Sequence, residues 1–261
     1  MGLAFERDGS GPPLVLLHGV GHRRQAWDAV RTRLTPYREV ILVDLPGHGE
    51  SPPLRPNGRP VVAALLDQVT GLLDDLGLDR PHLAGNSLGG RLALEAGVAG
   101  RAATVTALSP AGFWPSDRQA LYARGVFKVM EFAAARVQPV APVLTRGTAG
   151  RALVYCATVS RPSRVSPEQA QGDIAAFLAA REALHLVLTG MTRFTGRVPV
   201  GVPVTIAWGT RDRLLPPRQV RVARACLPEA RILPLTGCGH VPMTDDPDLV
   251  ADVLLQGSGG R

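Results

Sequence analysis

Short apolar runs recur along this chain, each bounded by glycine, proline or a carboxylate. They are Pro13–His18, Glu39–Asp44, Pro81–Asn86, Ala103–Leu108, Val202–Trp208 and Ala230–Leu235. Each is too short to make a helix, and Leu14–Leu17 and Val40–Val43 are apolar at consecutive positions rather than alternating ones. Strands of that kind are covered on both faces, which implies a parallel sheet between helices. Helical patterns separate them: Gln25–Leu34, Val61–Leu76, Leu88–Gly97, Pro217–Cys226 and Pro247–Leu255. In the second of these, Val62, Leu65, Leu66, Val69, Leu72, Leu73 and Leu76 make one apolar stripe. Alternating strand and helix predicts an α/β fold, an open and mostly parallel sheet flanked by helices.

One interval breaks the rhythm. Residues 114–197 contain no convincing strand but carry helical patterns at Gln119–Ala135 and Ile174–Leu188. Pro139, Pro142, Pro162 and Pro167 punctuate the rest. The chain is therefore expected to divide into a core, 1–113 with 198–261, and a helical cap, 114–197. The glycine-rich end, 257–261, reads as a flexible tail.

The chemistry concentrates where strands end. Gly85-Asn86-Ser87-Leu88-Gly89 carries the Gly-x-Ser-x-Gly pattern of a sharp strand-to-helix turn. At Gly85 and Gly89 side chains would strike the neighbouring helix and strand. Serine needs a base in reach, and a histidine base needs a carboxylate to fix its tautomer. His240, in Gly237-Cys238-Gly239-His240, follows the last strand; Asp212 follows the strand before it. Both fall at the carboxyl edge of the sheet, where open α/β proteins gather ligands. Asp117, Asp245 and Asp246 are the alternative acids. Among the other histidines, His18 and His48 are expected to organise glycine-rich turns. His22 is expected near a pocket mouth, His82 in a strand and His185 on the cap.

Taken in order, these segments resemble the α/β-hydrolase fold superfamily of serine hydrolases. His18-Gly19-Val20-Gly21 is similar to that family's His-Gly loop, and Asp44-Leu45-Pro46-Gly47-His48-Gly49-Glu50-Ser51 to its D-x-x-G-x-G-x-S loop. The resemblance implies a catalytic triad of Ser87, Asp212 and His240, with an oxyanion hole made by the backbone N–H groups of Val20 and Leu88. It also implies a cap over the site, so that Trp114, Phe127, Met130, Phe177, Met191 and Val241 are expected to touch substrate. The expected activity is cleavage of a carboxylic ester or related acyl bond in a small, largely apolar substrate. The elbow is equally similar to that of C–C hydrolases of the meta-cleavage-product type. Thioester hydrolysis and a noncatalytic small-molecule binder on the same fold are further readings. Ser87 stands where epoxide hydrolases and haloalkane dehalogenases of this fold carry aspartate.

Composition narrows this only a little. The formal net charge of +7 comes almost entirely from arginines, and these are dispersed. No nucleic-acid partner is therefore expected. No stretch is apolar and long enough to span a bilayer, so no membrane insertion is expected. Three scattered cysteines and the lack of a leader-like N-terminus point to a reducing, cytoplasmic setting. No metal-ligand spacing, P-loop or dinucleotide fingerprint occurs, so no metal or cofactor is expected.

Overall fold

A computed structural model describes residues 2–260 of the 261. Seven strands form one sheet: β1 (Phe5–Gly9), β2 (Pro13–Leu17), β3 (Glu39–Val43), β4 (His82–Asn86), β5 (Thr104–Leu108), β6 (Val204–Gly209) and β7 (Arg231–Leu235). Their spatial order is β1-β3-β2-β4-β5-β6-β7. All neighbours run parallel except β1 and β3. The six apolar runs of the sequence are β2 to β7.

Strand β1 carried no apolar signal. Its sequence, Phe-Glu-Arg-Asp-Gly, is mostly exposed. A charged edge strand discourages pairing with other chains, and that polarity also hides it from a reading of hydrophobic runs.

Alternation along the strands sends residues to two cores. Leu14, Leu16, Val40 and Leu42 face α1 (Asp28–Leu34) and α11 (Pro247–Gly257). Val15, Leu17, Ile41 and Val43 face α2 (Val61–Asp75) and α3 (Leu88–Val98). The stripe read on α2 is its buried side, with Leu65, Val69 and Leu73 inaccessible or nearly so.

Between β5 and β6 lie five helices and no strand: α4 (Asp117–Val137), α5 (Ala141–Leu144), α6 (Thr148–Val154), α7 (Pro167–Ala179) and α8 (Arg181–Gly190). The expected helix Ile174–Leu188 is two helices, broken at Ala180. No glycine or proline marks that break. It lets α7 pack on α4 while α8 packs on α2, so tertiary contacts override local propensity.

The tail is also more ordered than its glycines suggest. Arg38 donates to the Ser258 hydroxyl (3.1 Å) and carbonyl (2.8 Å), and Ser258 is buried. Arg261 lies outside the described residues. The two remaining helices, α9 (Val220–Cys226) and α10 (Pro242–Asp245), flank the last strand and its loop.

Candidate active site

Ser87 sits between β4 and α3 with φ 55° and ψ −111°. A non-glycine residue at positive φ costs about 1–3 kcal/mol and persists only where its surroundings enforce it. Here they do. Its N–H donates to the Leu108 carbonyl (2.9 Å). Its own carbonyl accepts from Arg91 (3.0 Å) and Ala111 (3.1 Å). A Cβ on Gly85 would overlap the backbone of Gly89, and one on Gly89 would overlap the Leu17 carbonyl on β2. The turn therefore closes only with glycine at both positions.

The acid loop and the histidine loop are joined backbone to backbone. Thr210 N–H donates to Leu235 (3.1 Å) and Arg211 N–H to Cys238 (2.9 Å). Asp212 Oδ1 accepts the N–H groups of Leu214 (3.0 Å) and Leu215 (2.8 Å), which aims Oδ2 at His240 Nδ1, 2.8 Å away. Both side chains are buried. A carboxylate only accepts, so Nδ1 carries a proton, and in the neutral imidazole this tautomer leaves the lone pair on Nε2.

Ser87 and His240 line the same small cavity, of about 20 Å³, together with Gly19 and Val20. Among the described residues, neither the Val20 nor the Leu88 N–H has a protein acceptor. Leu88 also opens α3, whose N-terminal dipole favours negative charge.

The competing residues have other work. His18 Nδ1 donates to Gly19 (2.7 Å) and its Nε2 accepts from Leu45 N–H (3.0 Å). Burial, and then the adjacent His48, hold its pKa well below the usual histidine value. His48 donates to Pro46, and burial lowers it to about 4. His82 pairs with Thr104, and His185 is exposed. Asp117 pairs with Arg193 at the surface, and Asp246 caps α11. Asp245 accepts N–H groups from Gly239 (2.7 Å), Ser160 (2.9 Å) and Arg161 (2.6 Å). It thereby ties the loop of His240 to the inserted helices. None of these three acids bonds the His240 ring.

Two cavities flank the one at Ser87. The smaller, about 50 Å³, is lined by Val20, Leu88, Trp114, Phe127 and Met191. The larger, about 310 Å³, is lined by Met130, Phe177, Tyr155 and His22 among others. Phe127 and Phe177 stack between them, their ring centroids 6.5 Å apart. Five of the six residues expected to touch substrate therefore face this chain of cavities. Val241 does not. It is buried beneath the sheet with Leu235 and Val250, because the backbone after His240 turns inward and Val241 N–H donates to Thr158.

What Asn86 and Asp44 bind was not legible in the sequence. Asn86 donates to the carbonyl of His240 (2.9 Å) and to that of Leu108 (3.2 Å). Asp44 binds the backbone N–H of Arg24 (2.7 Å) and of Glu50 (3.0 Å), and it pairs with the Arg24 guanidinium. Both residues stand in motifs quoted from the sequence, and each is a polar side chain at the end of an otherwise apolar strand. His22, expected near a pocket mouth, lines both the cavity at Ser87 and the larger one, and burial lowers its pKa.

Residues 14–253 match the alpha/beta hydrolase family, and the chain belongs to it. It is 32% identical to a pimeloyl-[acyl-carrier protein] methyl ester esterase of Xanthomonas axonopodis pv. citri, over 94% of each chain. It is 33% identical to an epoxide hydrolase of Mycobacterium tuberculosis, over 74% of this chain and 92% of that protein. A hydrolase of Pseudomonas aeruginosa superposes with a TM-score of 0.76 at 21% identity, covering 99% of this chain and 94% of that one, which speaks to the fold alone. The curated relatives named here are hydrolases, and among the described residues no helix is long and apolar enough to cross a membrane.

Proposed function

We propose that this protein is a serine hydrolase of carboxylic esters that carry one short and one long apolar arm. Ser87 Oγ attacks the carbonyl carbon while His240 Nε2 takes its proton. Asp212 holds the imidazole in the tautomer that leaves Nε2 free, and it stabilises the imidazolium that forms. The Val20 and Leu88 amides receive the charge that develops on the carbonyl oxygen. His240 then protonates the departing alkoxide, leaving an acyl-enzyme on Ser87. Water, deprotonated by the same Nε2, releases the acid. The inserted helices act as a cap. The smaller cavity takes the short arm, and the 310 Å³ cavity takes the long one.

The observation that carries this reading is the 2.8 Å His240–Asp212 contact on the wall of the cavity that Ser87 enters at positive φ. Likeness to an epoxide hydrolase raises the alternative of an oxirane substrate. A serine that opened an oxirane would form an ether, which water cannot cleave by addition to a carbonyl. Turnover would stop after one cycle, and Ser87 therefore favours the ester.

The test is covalent labelling of the folded protein with a fluorophosphonate probe, alongside hydrolysis of p-nitrophenyl esters of increasing chain length. Labelling at Ser87, lost in Ser87→Ala together with turnover, is the expected result. An unlabelled serine in a protein that still binds apolar esters would make it a noncatalytic binder.

A further inference from the structure

Most of the large apolar side chains that face solvent lie in one stretch of the insertion. Leu121 (61% exposed), Val129 (69%) and Phe132 (62%) follow one another along the outer side of α4. Val140 (54%), Val143 (70%) and Leu153 (64%) continue from its end through α6. The inner side of α4 is apolar too, with Ala123 and Phe127 buried and Met130 packed against the core. A surface helix has one apolar face; a second one, left outside, needs something to cover it.

Charge says what that is. Residues 114–197 hold eleven arginines and lysines against five acids, a formal +6 of the chain's +7. Lys128, Arg136 and Arg146 are exposed among these apolar residues. Among the described residues none of the three forms an ion pair, and the nearby acid, Glu131, is engaged with Arg181. The Arg136 guanidinium carbon lies 4.4 Å from the Phe132 ring centroid, so cation and apolar group share one face. Apolar side chains among unpaired cations on a helix suit the boundary of a bilayer with anionic headgroups. A second copy fits poorly, because two such faces would oppose like charges. Val129 and Leu153 also line the 310 Å³ cavity, so its mouth opens within this face.

We propose that the outer face of α4, with Val140, Val143 and Leu153, docks peripherally on an anionic lipid surface, so that apolar substrate enters the larger cavity from the lipid. The docking stands on the face itself; the delivery of substrate rests on the esterase reading.

The test is co-sedimentation of the full chain with vesicles of phosphatidylcholine, alone or mixed with phosphatidylglycerol, at low and high salt. Binding to the mixed vesicles, weakened by salt, is expected. Phe132→Asp combined with Val143→Asp should reduce that binding about 10-fold or more and leave hydrolysis of a short, water-dispersed ester unchanged. Lys128→Gln with Arg146→Gln should weaken it several-fold. Ser87→Ala should bind like the parent, so a failure of docking is read separately from a failure of catalysis. Absence of binding to either vesicle overturns the proposal. So does binding that the aspartates leave unchanged, or a dimer in solution that the aspartates dissociate.

Discussion

The sheet core and the helical insertion are built by different rules. In the core, charge is nearly balanced, and three buried polar pairs stand at or beside the carboxyl edge of the sheet: Asp44 with Arg24, His18 with Leu45, Asp212 with His240. The insertion carries most of the net charge and meets the cavities chiefly through apolar side chains such as Phe127, Met130 and Phe177. Every group proposed to form or break a bond comes from a core loop at the carboxyl edge of the sheet. The insertion supplies most of the wall of the larger cavity and about half of that of the smaller one. On the proposed reading, reaction type and substrate preference would be carried by separate parts of the chain.

The sharpest way to break this division is to change the core alone. Asp212→Asn keeps the shape of the site but favours the wrong imidazole tautomer. It should lower kcat by about 10⁴-fold on every ester, short or long. A loss confined to long esters would show that the two parts are not separate.

Next in size is a response to acid. His48 is neutral in the folded protein, with a pKa lowered from 6.5 to about 4, and His18 moves in the same direction. The unfolded chain takes up these protons first. The stability they contribute is therefore whole above pH 6.5 and is lost as pH falls toward about 4. Each tenfold difference in proton affinity between the folded and unfolded chain is worth about 1.4 kcal/mol. Denaturant titration across that window should show the fall, and His48→Gln should flatten it.

Asp245→Ala joins the two regions in one experiment. It leaves three backbone N–H groups without their charged acceptor, and a loss of about 1–3 kcal/mol is expected by thermal or chemical unfolding. Because Gly239 precedes His240, kcat should fall with it. Stability lost without any change in kcat would mean that the histidine loop holds itself.

The smallest effect belongs to the insertion. Phe177→Ala enlarges the passage between the cavities. It should alter the ratio of kcat/KM for long and short esters by about 10-fold and leave short-ester kcat within a few-fold. A proportional loss on all chain lengths would place Phe177 in the reaction itself.

The same division governs what could be read from the chain. Runs such as Val15–Leu17 and Val40–Val43 are apolar on both faces and announced themselves as parallel strands. The glycines around Ser87 and before His240 announced the turns: a Cβ at Gly85, Gly89 or Gly239 would meet backbone, and Gly237 has a φ of 78°. The break at Ala180 left no mark, since it answers to where α4 and α2 lie. The position of Val241 was also invisible. Its apolar side chain suits a pocket or a core equally, and only the inward turn of the backbone decides. Asn86 was hidden for a related reason: its partner, the carbonyl of His240, is 154 residues away and belongs to the main chain.

The Asp245 carboxylate has a practical consequence for anyone exchanging parts between hydrolases of this kind. A foreign insertion grafted onto this sheet would lose the Ser160 and Arg161 amides unless the graft reproduced them. Asp245 would then keep one of its three backbone N–H donors, that of Gly239. Chimaeras that keep residues 158–162 from the parent should outlast those joined at the strand ends.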